Sequence, residues 1–198
     1  TSLDEMEEAF QDGAGFVYTG WSGDPGVEDA VKDRMKATIR VLPGEVPHTY
    51  LRAFHHDGAT YALAMPGVTY RSPDGRGGWE RGPTLFEPEM RHAAVSVRDG
   101  VLHVFWTRVG DAPEAILHST VDLDGDWAAW RASEPFEVLR PERTWEGVDL
   151  PVGPSIRGAA NGPVHQLRDP ALFEDAGRTL LFYAVAGESG IGLAEVTW

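Results

Sequence analysis

Three stretches of this chain can be laid over one another, and that internal repeat limits the fold more than any other feature. The first runs Tyr50-Leu51-Arg52-Ala53-Phe54-His55-His56-Asp57-Gly58, then Thr60 to Ala64, then Gly67 to Ser72. The second runs from Met90-Arg91-His92 to Asp99-Gly100, then Val101 to Arg108, then Ala115 to Ser119. The third runs from Leu167-Arg168-Asp169-Pro170 to Ala176-Gly177, then Thr179 to Val185, then Gly190 to Val196. Each reads as an apolar residue and an Arg, a strand, an Asp-Gly-type turn, a strand, a second turn and a third strand. Glycine suits the tight hairpin because it accepts positive φ without a Cβ clash.

Two units continue into a Trp-containing stretch and a fourth strand. Gly78-Trp79-Glu80 leads to Thr84-Leu85-Phe86, and Asp126-Trp127 leads to Phe136 to Leu139. Four antiparallel strands recurring every ~40–50 residues are the pattern of β-propeller blades. A generic meander or sandwich also repeats its hairpins, but it does not call for an Arg at one position of each unit. The expected fold is all-β: a five-bladed type of β-propeller that is incomplete, with three clear blades plus a partial one. One domain over 1–198 is expected, with blades at 48–88, 90–140 and 165–198. Residues 1–47 would form the partial blade with short helices, one opened by the Ser2/Glu5 capping box and one by Asp24-Pro25. Five blades need ~200–250 residues plus connections, and 198 residues fall about one blade short.

Composition narrows the function classes. The 17 Lys+Arg stand against 31 Asp+Glu, a net charge of −14, which repels phosphate and argues against nucleic acid as a partner. Zero Cys removes disulfides, thiolate metal sites and a cysteine nucleophile. No apolar run approaches the ~18 residues of a membrane span, so no membrane is expected. The first residues lack the basic-then-apolar order of a signal peptide, which favours the cytoplasm, while a chain starting at Thr1 leaves export open. His55-His56 beside Asp57 reads as turn chemistry. Asp122-x-Asp124-Gly125-Asp126 also reads as a turn, since a calcium loop needs a Glu where Ser133 stands. No metal ligands and no cofactor are expected, a channel cation such as calcium being left open.

In a four-stranded blade the innermost strand lines the channel and begins at the same mouth as the turn between strands two and three. That places Arg52, Arg91, His92, Arg168 and Asp169 at one rim. Asp111, Glu114 and Glu188 join them from two–three turns, and Glu146 from the connection into the last unit. Carboxylates, arginines and aromatic faces in one cleft suit sugar chemistry: carboxylates act as acid and base, and Arg keeps a neighbour ionised.

Leu167-Arg168-Asp169-Pro170-Ala171-Leu172-Phe173 resembles the Arg-Asp-Pro strand of five-bladed β-propeller glycoside hydrolases, the arabinanase and β-xylosidase type (family 43) and the invertase and levanase type (family 32). Trp145-Glu146-Gly147 resembles the Glu-Gly element of the first type. Ser72-x-Asp74-Gly75 with Trp79 resembles their blade edge. The resemblance covers residues 48–198. It implies a glycosidase acting on arabinose-, xylose- or fructose-containing glycans, with Glu146 as general acid and Asp169 as the second, stabilising Asp. Arg52, Arg91, His92, Asp111, Glu114, Arg168 and Glu188 would bind substrate. The family's base Asp has no counterpart in the readable units. A non-catalytic carbohydrate-binding or scaffolding propeller, or a fragment without the catalytic N-terminal blade, are the competing expectations. Exposed blade edges would favour a homo-oligomer.

Overall fold

The computed structural model describes residues 46–198. The expected N-terminal helices, and all but the last two residues of the expected partial blade, lie outside the described residues. The described part contains eleven strands in three antiparallel sheets and no α-helix, only two single 3-10 turns at Trp127–Ala129 and Thr144–Glu146. None of its helices is long and apolar enough to cross a membrane.

The first sheet is β1 (Thr49–His56), β2 (Ala59–Met65), β3 (Val68–Ser72) and β4 (Glu80–Thr84), in that order. The second is β5 (Met90–Arg98), β6 (Val101–Arg108), β7 (Ile116–Asp122) and β8 (Phe136–Leu139), again in order. The third is β9 (Arg168–Asp175), β10 (Arg178–Val185) and β11 (Gly190–Val196). The inner strands β1, β5 and β9 pack side by side in sequence.

The hairpins follow from local chemistry. Asp57 and Gly58 have φ of 44° and 74°, Asp99 and Gly100 49° and 77°, and Ala176 and Gly177 48° and 80°. Positive φ at both central residues is the type I′ pattern, whose twist matches that of the paired strands. Asp tolerates this region, but Ala pays a steric penalty there. Ala176→Asn is therefore expected to stabilise the fold by about 0.5–1 kcal/mol, read from chemical denaturation. An unchanged or lower midpoint would contradict a strained turn. The Ser72-x-Asp74-Gly75 edge is a turn held by side chains instead: the Gly75 N–H donates to Ser72 Oγ at 3.0 Å, and the Arg76 N–H to Asp74 Oδ1 at 2.9 Å.

Side chains alternate across a strand, so a central sheet buried on both faces builds two cores. From β6, Leu102, Val104 and Trp106 enter a cluster with Phe54, Leu63 and Trp130, between the first and second sheets. Phe105 points the other way and joins Ala94, Ile116, Leu181 and Tyr183, against the third sheet. Each fully buried Val or Leu contributes about 1.5–3 kcal/mol. The far face of the third sheet stays open: Phe173, Ile191 and Leu193 are 56%, 71% and 55% exposed.

Candidate functional site

Each inner strand opens with the same irregularity. Thr49 pairs with Met65 and Arg52 with Leu63; Arg91 pairs with Thr107 and Ala94 with Phe105; Arg168 pairs with Ala184 and Ala171 with Phe182. One extra residue is inserted on the inner strand in all three cases, a β-bulge that bends the strand and re-aims a side chain. The residue after the first pair has left-handed φ every time: Tyr50 at 53°, His92 at 46° and Asp169 at 47°.

All three line a cavity of about 330 Å³ at the mouth, together with Met65, Arg91, Arg157, Gly158, Ala159 and Glu188. The Tyr50 and His92 rings lie 5.3 Å apart. His92 Nδ1 is 3.3 Å from Asp169 Oδ1 but is not aligned for a hydrogen bond. A larger groove of about 640 Å³ between the second and third sheets has mainly apolar walls, including Phe105, Phe136, Leu181 and Trp198. The mouth is the better candidate, because two carboxylates, Asp169 and Glu188, line it beside Arg91 and His92.

Behind the mouth lies a buried ionic triad. The Arg91 guanidinium grips the Glu114 carboxylate with two nitrogens, Nε at 2.9 Å from Oε1 and Nη2 on Oε2. Arg168 Nε approaches Glu114 Oε2 at 3.2 Å. Exposures are 2%, 0% and 1% for Arg91, Glu114 and Arg168. Arg168 Nε and Nη2 both donate to Gln166 Oε1, and the other guanidinium nitrogens hold the connection that walls the cavity: Arg91 Nη1 donates to Ile156 O and Arg168 Nη1 to Gly158 O, both at 3.2 Å. Arg168 Nη1 also donates to Glu188 Oε1 at 3.1 Å, and that oxygen accepts the Ala160 N–H at 3.2 Å.

The mouth perturbs its titratable groups. Burial pushes the His92 pKa down from 6.5 to about 4, with the positive charge of Arg91 adding to the effect. Desolvation raises the pKa of Asp169, helped by the neighbouring charge of Glu188 and opposed by Arg168. For His92 the native state resists a proton that the unfolded chain accepts. Its contribution to stability is complete above pH 6.5 and is lost as pH falls toward 4, by about 3 kcal/mol in all. His92→Gln is expected to flatten that part of the stability–pH curve measured by urea unfolding; an unaltered slope would show that His92 titrates normally.

Other expected site residues fall elsewhere. Arg52 is not the counterpart of Arg91 and Arg168: the pairing registers put Thr49 at their position, so the recurring Arg exists in two units only. Arg52 and Asp111 do not line the cavity. Asp111 sits 3.9 Å from Arg108 Nη1, and its carbonyl accepts the Ser155 N–H. Glu146 is 1% exposed and also off the cavity. Its Oε2 accepts the Glu142 and Arg143 N–H groups at 2.8 and 2.9 Å, and its Oε1 the Tyr183 hydroxyl at 2.9 Å. Backbone capping and Tyr183 draw this carboxylate inward, so the candidate acid Glu146 is not brought together with Asp169 and Glu188 at the cavity. Burial and Glu146 lift the Tyr183 pKa to about 12, so Tyr183 stays a donor. Among the described residues no group of three or more His, Cys, Asp or Glu is placed to hold a metal ion.

Tyr50, Met65, Arg157, Gly158 and Ala159 were not foreseen at the cavity. For Tyr50 a signal did exist. Tyr50, His92 and Asp169 each lie seven residues before the first residue of their hairpin turn, Asp57, Asp99 and Ala176. Arg91 and Arg168 each stand eight residues before that turn residue, whereas Arg52 stands five before it, so the arginines do not share the spacing.

No family model matches the chain. An uncharacterised protein of Acanthamoeba polyphaga mimivirus is 40% identical over 163 residues, covering 74% of this chain and 46% of that protein. Among solved structures, a thermostable family-43 glycoside hydrolase superposes with a TM-score of 0.52 at 13% identity, over 77% of this chain and 52% of its own. The chain shares the fold of that hydrolase. The native Bacillus subtilis arabinanase gives a TM-score of 0.48 at 16% identity, over 79% of this chain and 53% of its own. The chain therefore spans about half the length of the proteins it matches.

Proposed function

We propose that this protein is a glycoside hydrolase that holds one sugar of an arabinose-, xylose- or fructose-type glycan in the mouth cavity and cleaves its glycosidic bond by carboxylate acid/base catalysis. The observation that carries this reading is the pair Asp169 and Glu188, two carboxylates lining one cavity in unequal surroundings. Asp169, whose pKa is raised, supplies the proton. Glu188, anchored by Arg168 and the Ala160 N–H, is the base. Asp169 protonates the glycosidic oxygen as its bond to the anomeric carbon breaks. Water adds at that carbon, and its displaced proton passes to Glu188.

Glu146 then has a positioning role. Its carbonyl accepts the Ala186 N–H at 3.2 Å, steadying the turn that presents Glu188. In the same reading the three sheets are blades of a five-bladed ring. The test is a panel of aryl arabinofuranosides, xylosides and fructosides: wild type is expected to release the aryl alcohol from at least one, and Asp169→Asn and Glu188→Gln to lose that release. No release by wild type from any of them would overturn hydrolysis. A second reading, sugar binding without turnover, is favoured by the sequestration of Glu146, the acid that the family resemblance implies; it would show as sugar binding with no released alcohol.

A further inference from the structure

We infer that Tyr50 is the specificity-determining residue of the mouth, its ring forming the stacking face for a neutral sugar ring; this rests on the reading of the mouth as a glycan site. Tyr50 lines the cavity with His92, Asp169 and Glu188, and half of this large aromatic residue, 51%, remains exposed. Its backbone is left-handed at φ 53°, a region where a bulky residue is costly and glycine is not. Among the described residues its hydroxyl makes no hydrogen bond, and its ring belongs to none of the buried clusters.

The fold therefore requires the bulge at position 50 but not the tyrosine. The same bulge carries His in the second sheet and Asp in the third, so one backbone device delivers three different chemistries to one cavity. His92 is uncharged near neutral pH and Asp169 accepts or donates hydrogen bonds. Both suit the hydroxyl edge of a sugar, while the Tyr50 ring suits its C–H face. The buried guanidiniums of Arg91 and Arg168 are already engaged by Glu114 and Glu188. Arg157, the other cation lining the cavity, donates to Pro88 O and stands against two carboxyl groups, Asp169 and Glu188, so a neutral ring is the ligand that fits.

The test compares wild type, Tyr50→Phe, Tyr50→Ala and Tyr50→Gly. Affinity is measured by calorimetry for L-arabinose, D-xylose, D-fructose and glucuronate. For the sugar that binds, kcat and KM follow on its aryl glycoside, together with the thermal midpoint. Tyr50→Phe is expected to keep wild-type affinity. Tyr50→Ala and Tyr50→Gly are expected to weaken it about tenfold, the scale of losing one buried aromatic contact, and to raise KM with little change in kcat. The thermal midpoint of Tyr50→Gly is expected to equal or exceed that of wild type. Wild-type affinity in Tyr50→Ala, tighter binding of glucuronate, or affinity lost together with a lowered midpoint would each overturn the platform. If wild type binds no sugar, the glycan reading falls and takes the platform with it; if wild type and Tyr50→Ala bind a sugar equally, only the platform falls.

Discussion

Glu114→Ala is expected to lower the free energy of unfolding by about 3–5 kcal/mol, chiefly the cost of leaving the buried Arg91 guanidinium without its carboxylate, while Arg168 keeps Gln166 and Glu188. Arg91 and Arg168 both turn to this one side chain, and all three are almost completely shielded from water. Removing the negative charge leaves two like charges facing each other across a small void. Replacing all three residues by Met removes the charges together and is expected to restore part of the loss. Recovery stays incomplete, because the carbonyls of Ile156 and Gly158 lose the donors that hold them over the mouth. Chemical denaturation of the single and triple variants checks both statements. A Glu114→Ala loss below about 1 kcal/mol would mean that water reaches the triad and screens it.

Asp169→Asn and Glu188→Gln are each expected to lower kcat/KM by about 10²–10⁴, the usual worth of a positioned acid or base. Glu146→Gln should behave differently. Its carboxylate caps backbone N–H groups and receives the Tyr183 hydroxyl, away from the cavity. The expected result is a lowered melting temperature with most of kcat retained. The opposite outcome, activity abolished in Glu146→Gln but kept in Asp169→Asn, would return the acid role to Glu146 and refute the assignment made from geometry. A pH–rate profile separates the two further, since the desolvation that raises the pKa of Asp169 shifts the loss of its proton to higher pH than in an exposed Asp.

The repeat was legible because its cause is local. An Asp-Gly pair at Asp57-Gly58 or Asp99-Gly100 sets a hairpin with its nearest neighbours, and the nearly continuous apolar run Val101–Trp106 suits a strand buried on both faces. Part of the candidate site could be expected from the repeat itself: Arg91, His92, Asp169 and Glu188 stand at strand ends that the unit pattern puts on one side, and they line one cavity. Arg52 is not at the Arg91 and Arg168 position because it stands three residues further along, past the bulge that all three inner strands share. Nothing around Arg52 announces the bulge except the constant spacing back from the turn.

Sequence alone, then, pointed to an all-β fold of repeated antiparallel hairpins, because turn chemistry and the strand preference of short aromatic and β-branched runs act over a few residues. Only the tertiary structure decided which charged groups face the cavity and which brace it. Glu114 meets Arg91 across 23 residues, Tyr183 meets Glu146 across 37, and both carboxylates are withdrawn from solvent by those meetings. A carboxylate's role depends on whether water or a guanidinium surrounds it, and partners so distant in the chain are brought together only by the packing of one sheet against the next.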